Sequence, residues 1–141
     1  MPAVIHGPGE GEHIEPIGIT IKAGGEDTGG TFYLGEGTLP PGFPGPPPHY
    51  HEHLHDMFYV LEGTITVLVG DEQREIGAGS FACFPPGVVH TFSNPSDKPA
   101  RILNFNTPAG FENYMRDLGA AAATTTEDIA QVASRYDIKM V

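Results

Sequence analysis

Cysteine is nearly absent from this 141-residue chain. The single one, Cys83, excludes an internal disulfide and fits a reducing cytoplasm, the compartment expected here. Basic residues are also scarce, 7 Lys and Arg against 18 Asp and Glu, for a formal net charge of −11. That balance opposes nucleic acid or an anionic membrane surface as a partner, and it keeps a protein soluble without further purpose. No apolar run approaches the roughly 20 residues needed to cross a bilayer. The first residues show no basic stretch followed by an apolar one, so no signal peptide is expected. Hydrophobic residues make up 39%, which is low for a large globular enzyme.

In their place stand 19 Gly and 14 Pro, with short apolar runs between them. One domain with one core is the sensible expectation at this length. Turn formers at this density predict an all-β chain. Strands are expected over 18–23, 31–38, 57–61, 64–69, 74–76, 81–84, 89–92 and 101–106, separated by turns such as Gly24–Gly30, Glu62-Gly63 and Pro85-Pro86-Gly87. Roughly eight short, evenly spaced strands point to a single β-barrel or jelly roll. Residues 1–17 lack periodicity and read as an irregular N-terminal arm, 18–107 as the barrel, and 108–141 as a helical tail. In the tail, Phe111, Tyr114, Met115 and Leu118 recur at helical spacing. A second short helix is expected with Thr126 as its N-cap, Glu127 and Asp128 in its first turn, and Ile129, Val132, Ala133 and Tyr136 as its buried stripe.

Chemistry concentrates in two frames. Leu39–Pro48 packs six prolines and two glycines into ten residues, a stiff extended lead-in that delivers His49 to a fixed place. A proline-rich partner motif is the rival reading, weakened by the histidines that follow at once. The first frame is His49-x-His51-x4-Asp56-x6-Gly63; the second is Gly79-x5-Pro85-x-Gly87-x2-His90-x3-Asn94. His49 and His51 lie two apart, so a strand points both the same way, and an inward Asp56 would carry Phe58 and Val60 inward with it. Three neutral imidazoles and a carboxylate suit one divalent first-row metal with positions left for substrate. Taken singly, each histidine is equally well a core group bonded to backbone.

These frames resemble the two motifs of the cupin superfamily, and the Gly24–Thr28 and Thr107–Glu112 stretches are similar to small single-domain bacterial cupins of the quercetin-dioxygenase-like group. The second motif is matched at every fixed position; the first departs where Asp56 replaces the family's Glu and Phe43 its early Gly. The resemblance implies a conical β-barrel that holds one metal ion (Fe, Mn, Ni, Co, Cu or Zn) through His49, His51, His90 and the carboxylate position. In flavonol-cleaving members the Glu also takes a proton from substrate, so Asp56 inherits an expected role as catalytic base. Asp is shorter by one C–C bond, about 1.5 Å. Asp56 then ligates directly, reaches the ion through water, or leaves a three-histidine site. His53 and His55 are alternative ligands, proton relays, or exposed loop groups.

The pocket is expected to take side chains from Tyr33, Phe58, Phe92, His55 and Asn104. Asn104 and Asn106 alternate with Leu103 and Phe105, on a face that is either cavity or solvent. Cys83 reads as a small buried apolar group. The implied function is a metal-dependent, dioxygenase-like enzyme acting on a small aromatic or enolic substrate. The alternatives are a cupin isomerase, decarboxylase or lyase, a non-catalytic metal or small-molecule binder, and surface metal storage by His49–His55. A homodimer is expected, since exposed strand edges need covering.

Overall fold

The computed structural model describes residues 2–141 and contains two antiparallel sheets and a helical roof. The first sheet has six strands in the order β1 (Glu12–Ile14), β2 (Ile19–Ala23), β3 (Tyr33–Leu39), β10 (Ala100–Thr107), β5 (His55–Glu62) and β8 (Phe81–Phe84). The second has five, ordered β11 (Lys139–Met140), β4 (His49–Tyr50), β9 (His90–Ser93), β6 (Thr64–Val69) and β7 (Glu72–Gly77). The barrel expected from the sequence is thus realised as a jelly roll of two separate hydrogen-bonded sheets.

Strict alternation sets the inner face. In β10, Ala100, Ile102, Asn104 and Asn106 are buried, and in β3 so are Tyr33, Gly35, Gly37 and Leu39. Between the sheets, Phe58, Val60, Ile65, Val67, Phe84 and Ile102 form one apolar cluster. A second joins Ile14, Ile21 and Tyr33 to the helices α2 (Phe111–Ala120) and α3 (Thr126–Ala133). Each fully buried aliphatic or aromatic side chain contributes roughly 1.5–3 kcal/mol. The helices therefore use their apolar stripes within the chain, to close the mouth of the sandwich.

Several local expectations change. Residues 12–14 are not irregular: they pair with Ile19–Ile21 as β1. The Gly24–Gly30 turn contains a single helical turn, α1 (Gly25–Thr28). Asp27 Oδ2 accepts the Gly24 N–H at its start, and Gly29 ends it at φ +65°. The α3 cap is Thr125, whose Oγ1 accepts the Asp128 N–H; Thr126 Oγ1 instead donates to the Gly45 carbonyl. Cys83 is exposed, because Ala82 and Phe84 take the inward positions of β8. Among the described residues, no helix is long and apolar enough to cross a membrane.

Gly35 illustrates how tightly the inner face is fitted. A Cβ there would overlap the Tyr33 hydroxyl and stand 2.7 Å from Cζ of the same ring, which is 0% exposed and has no room to turn. Gly35→Ala is expected to cost about 3 kcal/mol, the upper end for overpacking a core. A urea midpoint at unchanged m-value measures it.

Candidate metal centre

Both frames are brought together by sheet register. His49 of β4 and His90 of β9 are direct antiparallel partners. His51 follows His49 by two residues and faces the same way, just beyond the end of β4. Asp56 enters from the opposite sheet as the second residue of β5, where it pairs with Asn106 on one side and Phe84 on the other. The two motifs are also tied by backbone: the Gly87 N–H donates to the His51 carbonyl at 2.8 Å. Asn94 is fully buried and does not face the site; its Nδ2 donates to the carbonyls of Leu39, Pro40 and Lys98, fixing the entry to the proline-rich segment.

All four side chains are buried, and one ligand atom from each lies within 4.8 Å of the others. Metal–ligand bonds of about 2.0–2.2 Å allow opposite ligands of one ion to stand up to about 4.4 Å apart, so small ring rotations close the set.

The protonation pattern decides what the cluster wants. Nδ1 of His49 faces the Pro47 carbonyl at 2.8 Å, Nδ1 of His51 the Asp137 carbonyl at 2.7 Å, and Nδ1 of His90 the Val88 carbonyl at 2.9 Å. A carbonyl only accepts, so each Nδ1 carries a proton and each Nε2 is left to present a lone pair inward. Nε2 of His90 and of His51 lie 3.1 Å and 3.5 Å from Asp56 Oδ2, and His51 Nε2 has no hydrogen-bond partner. Lone pairs facing a carboxylate at these distances require a cation between them, either a metal ion or a ring proton. The residues fit the metal, and the donor set suits a divalent first-row ion over Ca2+ or Mg2+.

Asp56 is clamped from behind. Its Oδ1 accepts Nδ2 of Asn104 at 2.8 Å and Nδ2 of Asn106 at 2.6 Å, leaving Oδ2 for the centre. The polar face of β10 that sequence left ambiguous is therefore the cavity side. Burial alone would raise the Asp56 pKa, but the neighbouring His51 and His90 imidazoles outweigh it and hold the carboxyl well below the usual carboxylate range.

The histidines answer differently. Burial, opposed by the Pro47 carbonyl and reinforced by the neighbouring rings, lowers His49 to about 4. For His51, burial is outweighed by Asp56 and Asp137, and its pKa rises. Between about pH 6.5 and 4 an unfolded histidine takes a proton that folded His49 does not. Metal-free protein should thus lose stability as pH falls through that window, by on the order of 3 kcal/mol. His51 stabilises fully below about pH 6.5 and loses that contribution as pH rises through its raised pKa. Urea midpoints of the metal-free protein should therefore peak near pH 6.5. Metal uptake should strengthen on the alkaline side, where His51 Nε2 gives up its proton.

A cavity of about 170 Å³ adjoins the cluster, with His49, Asp56 and Asn104 at its polar end. Phe58 and Phe92 line it as expected, and Phe43, Phe111, Tyr114 and Ile129 complete an apolar enclosure. Sequence marked the helical stripes but not their target. Two expected pocket residues lie elsewhere. Tyr33 is buried beside Phe111, outside the lining. His55 is exposed, because it precedes inward Asp56 by one residue and so faces outward; His53 is exposed in the preceding loop. Neither His53 nor His55 reaches the ligand set.

A family model described as Cupin domain matches residues 35–106, half of the chain. The chain belongs to the cupin family. This cupin is 31% identical over 71 residues to quercetin 2,3-dioxygenase of Bacillus subtilis (strain 168), covering 50% of the chain and 21% of that protein. It is 30% identical over 102 residues to germin-like protein 5-1 of Oryza sativa subsp. japonica, covering 67% and 46%. The chain spans about a fifth to a half of the length of these curated relatives. Among solved structures, a cupin described as a sugar phosphate isomerase from Silicibacter pomeroyi aligns at TM-score 0.55 with 28% identity, over 64% of this chain and 59% of that one. The polyketide cyclase RemF of Streptomyces resistomycificus aligns at 0.62 with 23% identity, over 76% and 80%, a likeness of fold alone.

Proposed function

We propose that this cupin is a metal-dependent, dioxygenase-like enzyme acting on a small aromatic or enolic molecule. The observation that carries this is an apolar, aromatic-walled cavity ending on inward-facing Nε2 and carboxylate groups. No Lys or Arg lines it among the described residues, which favours an uncharged ring over a sugar phosphate. A cavity of about 150 Å³ accommodates benzene. The cavity here is only slightly larger, so it suits a single ring better than a three-ring flavonol.

When bound, the ion supplies Lewis-acid polarisation of a substrate oxygen and the means to bring O2 into reaction. The chain's own residues do the rest. Phe58 and Phe92 hold the ring by its faces and edges. The α2 and α3 side chains exclude water, which strengthens every electrostatic interaction inside. Asp56 is suited first to ligation: one oxygen is fixed by two asparagines and the carboxyl holds a proton poorly. Any proton transfer is confined to its Oδ2.

The exposed thiol of Cys83 supports a reducing, cytoplasmic setting. Phe81, 62% exposed beside Tyr59 on the edge strand β8, supports a homodimer.

The test is O2 consumption by protein loaded with iron, manganese or nickel, across a panel of catechols, enediols and flavonols. Turnover should favour the single-ring members. Micromolar ligand binding with no O2 uptake under any metal would instead support a non-catalytic binding cupin. Product formation without O2 uptake would move the assignment to the isomerase, decarboxylase or lyase chemistry of sister cupins.

A further inference from the structure

His49 and His90 are each oriented by a carbonyl two residues upstream, that of Pro47 and that of Val88. His51 is the exception. Its Nδ1–H donates to the carbonyl of Asp137, 86 residues away. The Asp137 carboxylate holds the other side of the same loop: Oδ1 accepts the Glu52 N–H at 2.8 Å and Oδ2 the His53 N–H at 2.9 Å. The next residues continue the attachment. Ile138 is buried and lines the cavity, Lys139 and Met140 pair with Tyr50 and His49, and the Val141 N–H donates to the Pro48 carbonyl. Upstream, Ile129 of α3 lines the same cavity, and Thr126 donates to Gly45 in the proline-rich lead-in.

From this we infer that Asp137 is a positioning residue for the metal ligand His51, and that segment 137–141 couples closure of the helical roof to metal binding. The inference goes beyond the proposed reaction and rests on the metal reading of the four-residue cluster. Its logic is reciprocal. A docked tail fixes the ring plane and tautomer of His51, so the ion meets a prepared ligand. An ion that holds His51 in turn favours the docked tail by the same free energy. Since the tail is continuous with α3, the roof over the cavity is steadied with it. Side-chain truncation at Asp137 leaves its carbonyl in place but releases the two amides that hold that carbonyl against His51.

The experiment titrates Co2+ into the wild-type protein and into Asp137→Ala, against a chromophoric chelator. Loss of an orienting group behind a ligand typically weakens metal binding by about 10–100-fold, and that loss is expected here, with a changed cobalt d–d spectrum at saturation. Asp137→Asn retains one acceptor oxygen and should fall between. Hydrogen exchange supplies the reading that a merely structural role would not move. Co2+ should slow exchange at α3 and residues 137–141 in the wild-type protein, and much less in Asp137→Ala. If Asp137→Ala binds Co2+ within twofold of wild type with the same spectrum, or if Co2+ leaves exchange at α3 and the tail of the wild-type protein unchanged, this inference is overturned while the metal centre stands. If the wild-type protein takes up no Co2+, the metal centre falls and this inference with it. Should Asp137→Ala fail to fold, Asp137→Asn and the wild-type exchange data decide alone.

Discussion

His90→Ala is expected to empty the metal site while leaving a folded protein. The reason lies in where His90 stands. It is the only ligand supplied by the second frame, it faces His49 across the β4–β9 pair, and its Nε2 makes the shortest approach to Asp56 Oδ2. Its ring is also stacked flat on Phe84, at 4.2 Å between centroids and 8° between planes, so no neighbouring side chain can swing into its place without displacing that ring. Losing a ligand outright should exceed the roughly 100-fold that loss of an orienting group costs, and metal content after desalting should fall to background. His53→Ala and His55→Ala should leave that content unchanged, since both rings are exposed and outside the cluster. A storage site built from the run of histidines between positions 49 and 55 predicts the reverse pattern. Elemental analysis of the three variants beside wild type decides between them, and full occupancy in His90→Ala would remove the buried centre from consideration.

What made this centre legible was spacing. Residues two apart share a strand face, and Gly79, Pro85, Gly87 and Asn94 set the turns that bring His90 across from His49. The β10 strand was legible for the same reason, its alternation being unbroken over eight residues. Its polar members were the hidden part. Asn104 and Asn106 on one face of a strand look like a solvated face, and only the position of Asp56 on the adjacent strand, in register with Asn106 and two pairs from Asn104, turns that face into a carboxylate clamp. The choice among Asp56, His53 and His55 was open for a similar reason. One-residue parity decides it, and parity depends on where β5 begins.

Asp137 carried no sequence signal. A lone acid followed by a two-residue strand has no periodicity, and its value comes entirely from docking across 86 residues. The same holds for β1, where Glu12 and His13 are exposed and Ile14 alone is buried. Both cases are short segments whose structure is imposed by a partner strand rather than by their own propensity. The helical tail was read correctly as helices, but an amphipathic stripe says only that something apolar lies opposite. Here that something is the cavity, so the tail belongs to the pocket.

Asp56→Asn should separate metal binding from folding, and it argues most directly for what the carboxylate does. An asparagine Oδ1 can take over the two hydrogen bonds from Asn104 and Asn106 in nearly the same geometry. Its Nδ2 then stands where Oδ2 stood, and it donates toward the Nε2 lone pairs of His90 and His51 at 3.1 Å and 3.5 Å. The hydrogen bonds around position 56 are then kept with no charge among them. Replacing a buried ion pair by a neutral, well-fitted arrangement is often neutral or stabilising, so the metal-free variant should melt at or above the wild-type temperature. The stability that His51 loses at alkaline pH should disappear with its charge partner. Metal affinity should nevertheless drop by more than about 100-fold, because an amide N–H presents no lone pair to an ion and cannot offset its charge. Asp56→Glu is the instructive contrast. It restores the residue type that the family motif carries, but the added bond of about 1.5 Å pushes the carboxylate past the reach of both asparagines or into the His90 ring. That variant should lose stability and gain no affinity. Calorimetric titration with Co2+ and melting of both metal-free variants test the pair. Wild-type affinity in Asp56→Asn would mean that the three imidazoles hold the ion alone, with the carboxylate serving only to set the charge of His51.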